Sequence, residues 1–164
     1  VVYEFPLAAG KNYFTIPLRV PENYSAERFL TDIEKQGLSC AGVSVYEIQD
    51  WHKHSKGSIA RNFYMENGVA YLLECEGAGT YKMRGEHIYE PLGVSLHLGF
   101  NYVGATAYTE GKPVGRLIEG CDPKGMQKIF PDGTQGSIPD STPAALGEVY
   151  IVVCEVGGTW DKKV

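Results

Sequence analysis

The amino-acid sequence predicts a strand-rich α+β protein in which two β-β-α-β-β-β repeats, related by a pseudo-twofold axis, share one core. The first observation is that GVAYLLECEG (68–77) recurs as GEVYIVVCEVG (147–157), with Gly, Tyr, Cys and Glu at matching places. The second is that LAAGKNYF (7–14) recurs as LHLGFNYV (96–103). A unit with one helix cannot cover its own sheet, so two units are expected to pack together.

The length of 164 residues fits one domain. We expect this domain to span residues 1–164 as two repeats, 3–85 and 92–161. The chain begins in the middle of a strand-like pattern, VVYEFPL (1–7), and we interpret it as a piece excised from a longer protein. This first strand is expected to pair within its own chain, with addition to the sheet edge of a neighbouring molecule as the alternative.

In the first repeat, YFTIPL (13–18) continues the opening strands, and prolines then end the pattern. A helix is predicted over about 25–36, because Ser25 is a good N-cap and Gly37 stops the run. Strands are expected at 43–48 and 61–66, followed by the most apolar segment, VAYLLECE, and by 80–85.

In the second repeat, Pro113 suits a first helical position and Gly120 suits a stop, so a matching helix is predicted over 113–119. The segment MQKIF (126–130) has a strand pattern, and EVYIVVCE is expected to be a central strand. The two helices should occupy equivalent positions.

Composition argues against two classes of protein. The net charge is −5 and no large Lys/Arg cluster occurs, which argues against a nucleic-acid partner. The apolar runs are far shorter than a membrane span, so no membrane-spanning segment is expected.

The four cysteines fall two in each repeat, and their spacing contains no short metal-ligand pair. We predict the disulfides Cys40–Cys75 and Cys121–Cys154, with Cys75–Cys154 and four free thiols as alternatives. Disulfides imply an oxidising compartment, so a secreted or cell-surface location is expected.

Polar residues with catalytic or metal-binding chemistry are few. His52 and His54 share one face if WHKH is a strand, but the context predicts a solvated hairpin. Glu74 has no counterpart in the second repeat and is expected on a strand surface. A weak calcium site at Asp122, Asp132 or Asp140 stays open. We therefore expect no catalytic residues, no metal site and no cofactor.

The aromatic residues give the positive signal for binding, because Tyr is frequent and both Trp residues lie near polar side chains. Trp51, Tyr46 and Trp160 are the candidate ligand-binding residues. Aromatic rings beside carboxylates and amides stack on sugars or anchor a partner protein, although they also close a core.

The sequence also resembles a repeat of bacterial and archaeal extracellular proteins that opens with a GWNLISLPL-like stretch and closes with a GYWV-like strand. The residues that carry this resemblance in the first half are Gly10, Asn12, Ile16, Pro17, Leu18, Ala26, Trp51, Gly68 and Tyr71. The second half keeps Gly99, Asn101, Gly147 and Tyr150. Lys11 and Phe100 stand where the repeat has Trp, and paired cysteines are not typical of it.

The resemblance implies a module of a secreted or cell-surface protein. We thus expect a non-catalytic binding or structural module, whose partner is a protein (self-association or neighbouring domains) or a glycan. The alternative is a carbohydrate-binding accessory module of a secreted polysaccharide-degrading enzyme.

Overall fold

A computed structural model describes all residues, 1–164, and has a strand-rich α+β fold with one α-helix and several small sheets. Neither of its helices has the length or the apolar character of a membrane span. The elements, in chain order, are β1 (Val2–Leu7), β2 (Gly10–Thr15), α1 (Ala26–Lys35), β3 (Cys40–Glu47), β4 (Asp50–Ser55), β5 (Ala70–Cys75), β6 (Gly79–Arg84), β7 (Val94–Leu96), β8 (Gly99–Gly104), a 3-10 helix (Val114–Leu117), β9 (Ile118–Gly120), β10 (Pro123–Ile129), β11 (Gln135–Ser137), β12 (Val149–Cys154) and β13 (Gly158–Trp160).

The first half forms a four-stranded antiparallel sheet with the order β2-β5-β3-β4 and a separate ribbon of β1 with β6. The expected pairing of residues 1–7 within the chain is found, since β1 pairs with β6 from Val2–Arg84 to Leu7–Gly79. The helix α1 and the ribbon enclose one core of 18 buried residues with the central strands.

The helix α1 forms where the sequence predicts it. The Ser25 hydroxyl accepts from the Arg28 N–H at 3.1 Å, which satisfies one of the free donors of the first turn. Ala26, Phe29, Leu30 and Ile33 form its fully buried stripe. The stripe holds the helix against the sheet through burial, because ten residues alone make a marginal helix in water.

The second half has a four-stranded sheet with the order β8-β12-β10-β11 and a three-stranded sheet with the order β7-β13-β9. The predicted helix over 113–119 is wrong in kind and length. Residues Val114–Leu117 form a single 3-10 turn, and the chain enters β9 directly at Ile118. The apolar residues of this segment are buried as expected, but four residues cannot form an α-helix.

Two other segments also differ from the prediction. The expected strand over 61–66 is absent, and only an isolated bridge between Ser25 and Tyr64 occurs there. The expected hairpin at WHKH is found, since β4 pairs with β3 through Val43–His54 and Val45–His52, but His54 is fully buried and not solvated.

Both predicted disulfides are present, Cys40–Cys75 and Cys121–Cys154, and no free cysteine remains. Cys40 begins β3 and Cys121 lies between β9 and β10, and each is bonded to the last residue of the central strand of its half, β5 or β12. Closing loops of 35 and 33 residues contributes about 4 kcal/mol each by loop entropy.

The two halves meet where their four-stranded sheets face each other. A smaller core of four buried residues, Ala70, Ile129, Val149 and Ile151, lies between the sheets, with Tyr13 and Tyr102 packed against it. Each half also covers an edge strand of the other. Pro131, after β10, accepts from the Tyr13 N–H of β2 at 3.1 Å, and Gln49, after β3, accepts through its side chain from the Phe100 N–H of β8 at 3.1 Å.

Candidate functional site

Four aromatic rings cluster at the junction of the two halves. Trp51 lies 5.3 Å from Tyr46 and 4.7 Å from Tyr102 between ring centroids, and Tyr13 is 5.9 Å away. Tyr46 and Tyr102 are themselves 4.7 Å apart. All four side chains are half-buried. The cluster therefore keeps some ring surface in contact with solvent, although the rings pack on one another.

Strand register explains why these rings meet. Tyr46 and Trp51 are directly opposite each other in the β3–β4 hairpin, and Tyr13 lies on the same face of that sheet. Tyr102 comes from β8, the edge strand of the other half. Burial raises the pKa of both Tyr46 and Tyr102 above the ordinary phenol value, so both rings are neutral hydrogen-bonding groups near neutral pH.

A cleft of about 1100 Å³ opens beside this cluster, between the β3–β4 hairpin, the 63–67 segment and the consecutive strands β7 and β8. Tyr46 and Tyr102 form part of its wall. Three large apolar side chains are exposed at its rim: Ile48 at 93%, Tyr64 at 60% and Phe100 at 48% of their surface. The cleft thus combines exposed apolar surface with polar neighbours such as Glu47 and Asn67.

The rim of the cleft includes a strained turn. Ile48 and Gln49 join β3 to β4 with φ angles of +53° and +58°. A β-branched residue at positive φ is uncommon, and Gly or Asn usually fills such a turn. The Gln49 side chain holds β8 at Phe100, while Ile48 projects into solvent. Strain of this kind is often kept where a side chain must be presented to a partner.

The structure corrects the prediction for Trp160. This residue is fully buried, and its indole N–H donates to the Gly104 carbonyl at 3.0 Å. Its ring packs against Tyr150 in the core of the second half. No face of Trp160 is free to stack on a ligand, so only Trp51 and Tyr46 stay candidates from the sequence.

The two histidines of WHKH do not form a paired site. His54 is fully buried, and its ring nitrogens face the Glu27 carboxylate at 2.8 Å and the Ala60 carbonyl at 2.9 Å. The Gly57 N–H donates to the same Glu27 oxygen at 2.7 Å. The hydrogen bond with His54 has the larger effect, and together with that of Gly57 it lowers the pKa of Glu27. These contacts of Glu27 connect α1 to the end of β4.

Other polar candidates have structural partners. Glu74 pairs with Lys53 across the sheet, and Asp132 accepts from the N–H and the hydroxyl of Thr134 within a turn. No group of three or more His, Cys, Asp or Glu side chains is arranged to hold a metal ion.

One buried carboxylate was not singled out by the sequence. Asp161 is fully buried, and no hydrogen bond of good geometry reaches its carboxylate oxygens. Burial raises its pKa to about 6, against the smaller opposing effects of the Leu92 backbone N–H and the Lys112 charge. Its backbone has a φ of +61°, which Asp tolerates better than most residues.

Sequence reasoning missed Tyr13, Tyr102, Ile48 and Phe100 as parts of the site. A signal for two of them existed, because LAAGKNYF and LHLGFNYV place Tyr13 and Tyr102 at the same position of the two halves. That match indicated a shared structural role, and it did not indicate that the two rings meet Trp51.

Comparison with known proteins gives no relative from which a function could be transferred. No protein-family model, no curated protein and no solved structure matches this chain. The function is therefore inferred from the residues of the cleft and from the fold that positions them.

Proposed function

We propose that the protein is a non-catalytic binding or structural module of an extracellular assembly or cell-surface protein, and that it binds a partner protein through the aromatic cleft. The observation that carries this proposal is the convergence of exposed Ile48, Tyr64 and Phe100 on a concave surface whose wall includes Tyr46 and Tyr102. Exposed apolar side chains grouped around a concavity are characteristic of interaction sites, where aromatic residues supply most of the binding energy.

Two features support the extracellular setting. Both pairs of cysteines form disulfides, which persist in oxidising compartments. The resemblance to repeats of bacterial and archaeal extracellular proteins agrees with this setting.

The proposal includes an internal duplication, with the two halves related by an approximate twofold axis. Strand orders β2-β5-β3-β4 and β8-β12-β10-β11 support it, because corresponding strands occupy corresponding places. The Asn12 and Asn101 side chains each accept from the N–H four residues back at 2.8 Å and donate to that residue's carbonyl. The Tyr71 and Tyr150 hydroxyls each accept from the N–H five residues back.

The non-catalytic part of the proposal is supported by how the reactive groups are used. All four thiols are in disulfides, and the best acid–base pair, His54 with Glu27, is occupied in joining a helix to a strand. Neither group lines the cleft.

The test uses a variant of the rim, Ile48→Ser with Tyr64→Ser and Phe100→Ser, which removes exposed side chains and should leave the core intact. Tyr89→Ser is the matched control, because Tyr89 is 70% exposed and lies outside the cleft. Analytical ultracentrifugation from about 1 to 500 μM measures self-association, and affinity capture from the secreted and surface fraction of the host cells measures other partners. We expect binding by the native protein and by the control, and its loss in the rim variant. Equal binding by all three proteins would refute the cleft as the site.

A glycan ligand is the second candidate, because Trp51 and Tyr46 are half-exposed next to Glu47 and Asp50. The test can use intrinsic fluorescence, since the chain has two Trp residues and Trp160 is buried. In a Trp160→Phe variant, titration with soluble polysaccharides should shift the emission of Trp51 if sugars stack there. An unchanged spectrum across cellulose, chitin, xylan and glucan oligosaccharides would remove this candidate.

A further inference from the structure

The ribbon of β1 and β6 leaves one edge of β6 without a strand partner. Val1 and Gly85 exchange two backbone hydrogen bonds, from the Val1 amine to the Gly85 carbonyl at 2.9 Å and from the Gly85 N–H to the Val1 carbonyl at 3.0 Å. Bonded pairs alternate along an antiparallel ladder, so Thr80 and Lys82 direct their N–H and C=O groups away from β1. Pro6 faces Thr80 across the ribbon, at a position where no N–H is needed.

The second half has a strand at the corresponding edge. There β13 pairs with β7 on one side and with β9 on the other, through Gly158–Gly120, Thr159–Glu119 and Trp160–Ile118. In the first half no strand takes the place of β9, because α1 ends at Lys35 and the residues after it pass β6 only at its start, where Leu38 packs against Gly79. The first half therefore contains an empty strand position.

A single side chain stands in for the missing strand. The Gln36 side-chain amide donates to the Lys82 carbonyl at 2.6 Å, and its oxygen accepts from the Lys82 N–H at 2.9 Å. This is the pair of bonds that a neighbouring strand residue would make. Both Gln36 and Lys82 are exposed, so an incoming backbone could replace the amide without unfolding the core.

The groove along this edge is lined by more basic than acidic side chains, although the whole chain has a net charge of −5. A groove of about 840 Å³ runs between β6 and the side of α1 that carries Arg28, Asp32 and Lys35. Its five basic side chains are all exposed: Arg19, Arg28, Lys35, Lys82 and Arg84.

The groove has only two acidic side chains, Asp32 and Glu86. Asp32 already accepts from the Tyr24 hydroxyl at 2.6 Å. Arg19 pairs with Glu90 and Lys82 lies 3.8 Å from Glu4, so Arg28, Lys35 and Arg84 are the basic groups that favour an acidic occupant. A second copy that paired edge to edge would bring the same basic side chains against them, which disfavours it.

We propose that the outer edge of β6 is a docking site for an extended acidic segment of a partner protein, which displaces the Gln36 side chain and adds as a third strand. Backbone bonds to Thr80 and Lys82 would give the segment its register, antiparallel as β9 is to β13. Its carboxylates would meet Arg84, Lys35 and Arg28 along the groove. This site is separate from the aromatic cleft, and its test does not depend on the cleft.

The probe is a fluorescein-labelled eight-residue peptide of alternating Glu and Val or Thr, compared with the same peptide carrying Lys in place of Glu. A third peptide carries the acidic sequence with N-methyl groups at alternate residues, which removes the backbone donors needed for strand pairing. Fluorescence anisotropy gives the affinities for the native protein, and ¹⁵N NMR locates the bound peptide through the amides of Thr80 and Lys82.

We expect binding of the acidic peptide alone, with shifts at Thr80, Lys82 and the Gln36 side chain. Gln36→Ala should tighten binding at least threefold, because it removes the competitor for the edge. Lys82→Glu with Arg84→Glu should weaken binding at least tenfold. Lys124→Glu, an exposed lysine of the second half, should leave it unchanged.

Three outcomes would overturn the proposal. Equal binding of the N-methylated peptide would show charge attraction without strand addition, and an absence of binding to Gln36→Ala would show that the edge accepts no strand. A dimer that forms through this edge, detected by sedimentation and lost in Lys82→Glu, would assign the edge to a second copy of the chain.

Discussion

Thr15 packs so closely against Gly104 that no side chain fits between β2 and β8. A β-carbon at position 104 would lie closer than 3.0 Å to three atoms of Thr15. The Gly104 carbonyl also accepts from the Trp160 indole, and the Gly104 N–H donates to the Gly68 carbonyl at 2.9 Å. The two halves thus approach each other at a point where only glycine is tolerated.

Gly104→Ala should therefore loosen the junction of the halves. We expect a loss of about 1–3 kcal/mol in the free energy of unfolding, because the methyl group must displace either Thr15 or β8. Urea denaturation followed by Trp fluorescence measures it. Gly125→Ala is the control, since nothing lies within 4 Å of a β-carbon there. Equal stability of the two variants would contradict the close approach.

The pair Asn12 and Asn101 tests the proposed duplication. Each is buried and closes a turn through its side-chain amide, with bonds to Ala8 and to His97 respectively. Asn12→Ala and Asn101→Ala should each cost about 1–3 kcal/mol, because a backbone donor and acceptor lose their partner. Losses in the free energy of unfolding that differ between the two variants by more than about 2 kcal/mol would argue against equivalent roles.

Asp161 predicts a pH dependence of stability. Its pKa of about 6 in the folded protein lies above the ordinary 3.8, so the folded state holds this proton more tightly than the unfolded state. The stability that this carboxyl group contributes to the folded protein is fully present below about pH 4, and it is lost as the pH rises through about 6.

Asp161→Asn should remove that decline. The variant should match the native protein near pH 4 and exceed its stability by about 3 kcal/mol near pH 8, as a shift of about two pKa units implies. Asn also tolerates the positive φ of this position. Chemical denaturation at both pH values decides the matter, and a variant less stable than the native protein at pH 8 would show that the charged carboxylate has a favourable partner.

Glu27 predicts the opposite dependence. The contacts with His54 and the Gly57 N–H lower the pKa of Glu27. The stability that Glu27 contributes to the folded protein is therefore present above its ordinary pKa of 4.5 and is lost as the pH falls below that value. Glu27→Gln should cost about 1–3 kcal/mol at pH 6, because buried His54 loses a charged acceptor. The difference from the native protein should shrink at pH 3. Glu22→Gln, an exposed change just before the helix, serves as the control.

Removal of the first disulfide gives a prediction about chain entropy. Cys40→Ala with Cys75→Ala should lower the free energy of unfolding by about 4 kcal/mol, and the matching pair Cys121→Ala with Cys154→Ala by a similar amount. Thermal unfolding by circular dichroism measures both. A loss confined to one pair would show that the two loops differ in the unfolded chain.

Strands and disulfides could be predicted from the sequence for two reasons. Apolar and polar residues alternate along the strands, and the two halves of the sequence repeat the same segments with cysteines at matching places. Cys75 and Cys154 fall at the same place in two buried strands, and each is bonded to the cysteine that follows its helical segment. The stop of α1 at Gly37 was equally local. Such features need no knowledge of distant contacts.

The errors have three different causes. The spacing of Val114, Leu117 and Ile118 fits a 3-10 turn as well as an α-helix, and the short length decided for the former. His54 is buried by Glu27, 27 residues away, which no local pattern reveals. Trp160 could have been placed in the core, since the internal match aligns it with Tyr81, which is buried as well.

The cleft was hardest to predict, because it forms only when the halves meet. Tyr46 and Trp51 were both candidates from the sequence, but Tyr102 reaches them from the other half, as no local pattern indicates. The strained turn at Ile48 gives no sequence signal of the Asn-Gly type.

The exchange of edge contacts between the halves has a consequence for synthesis of the protein. Tyr13 leaves the ribosome well before Pro131, which covers its strand, and at about 5–20 residues per second the interval is on the order of 10 s. During that time the first half has an open strand edge at β2 and an uncovered apolar face around Ala70. A nascent chain in this state can pair with other chains through that edge, and a product truncated after β6 would be prone to aggregate there.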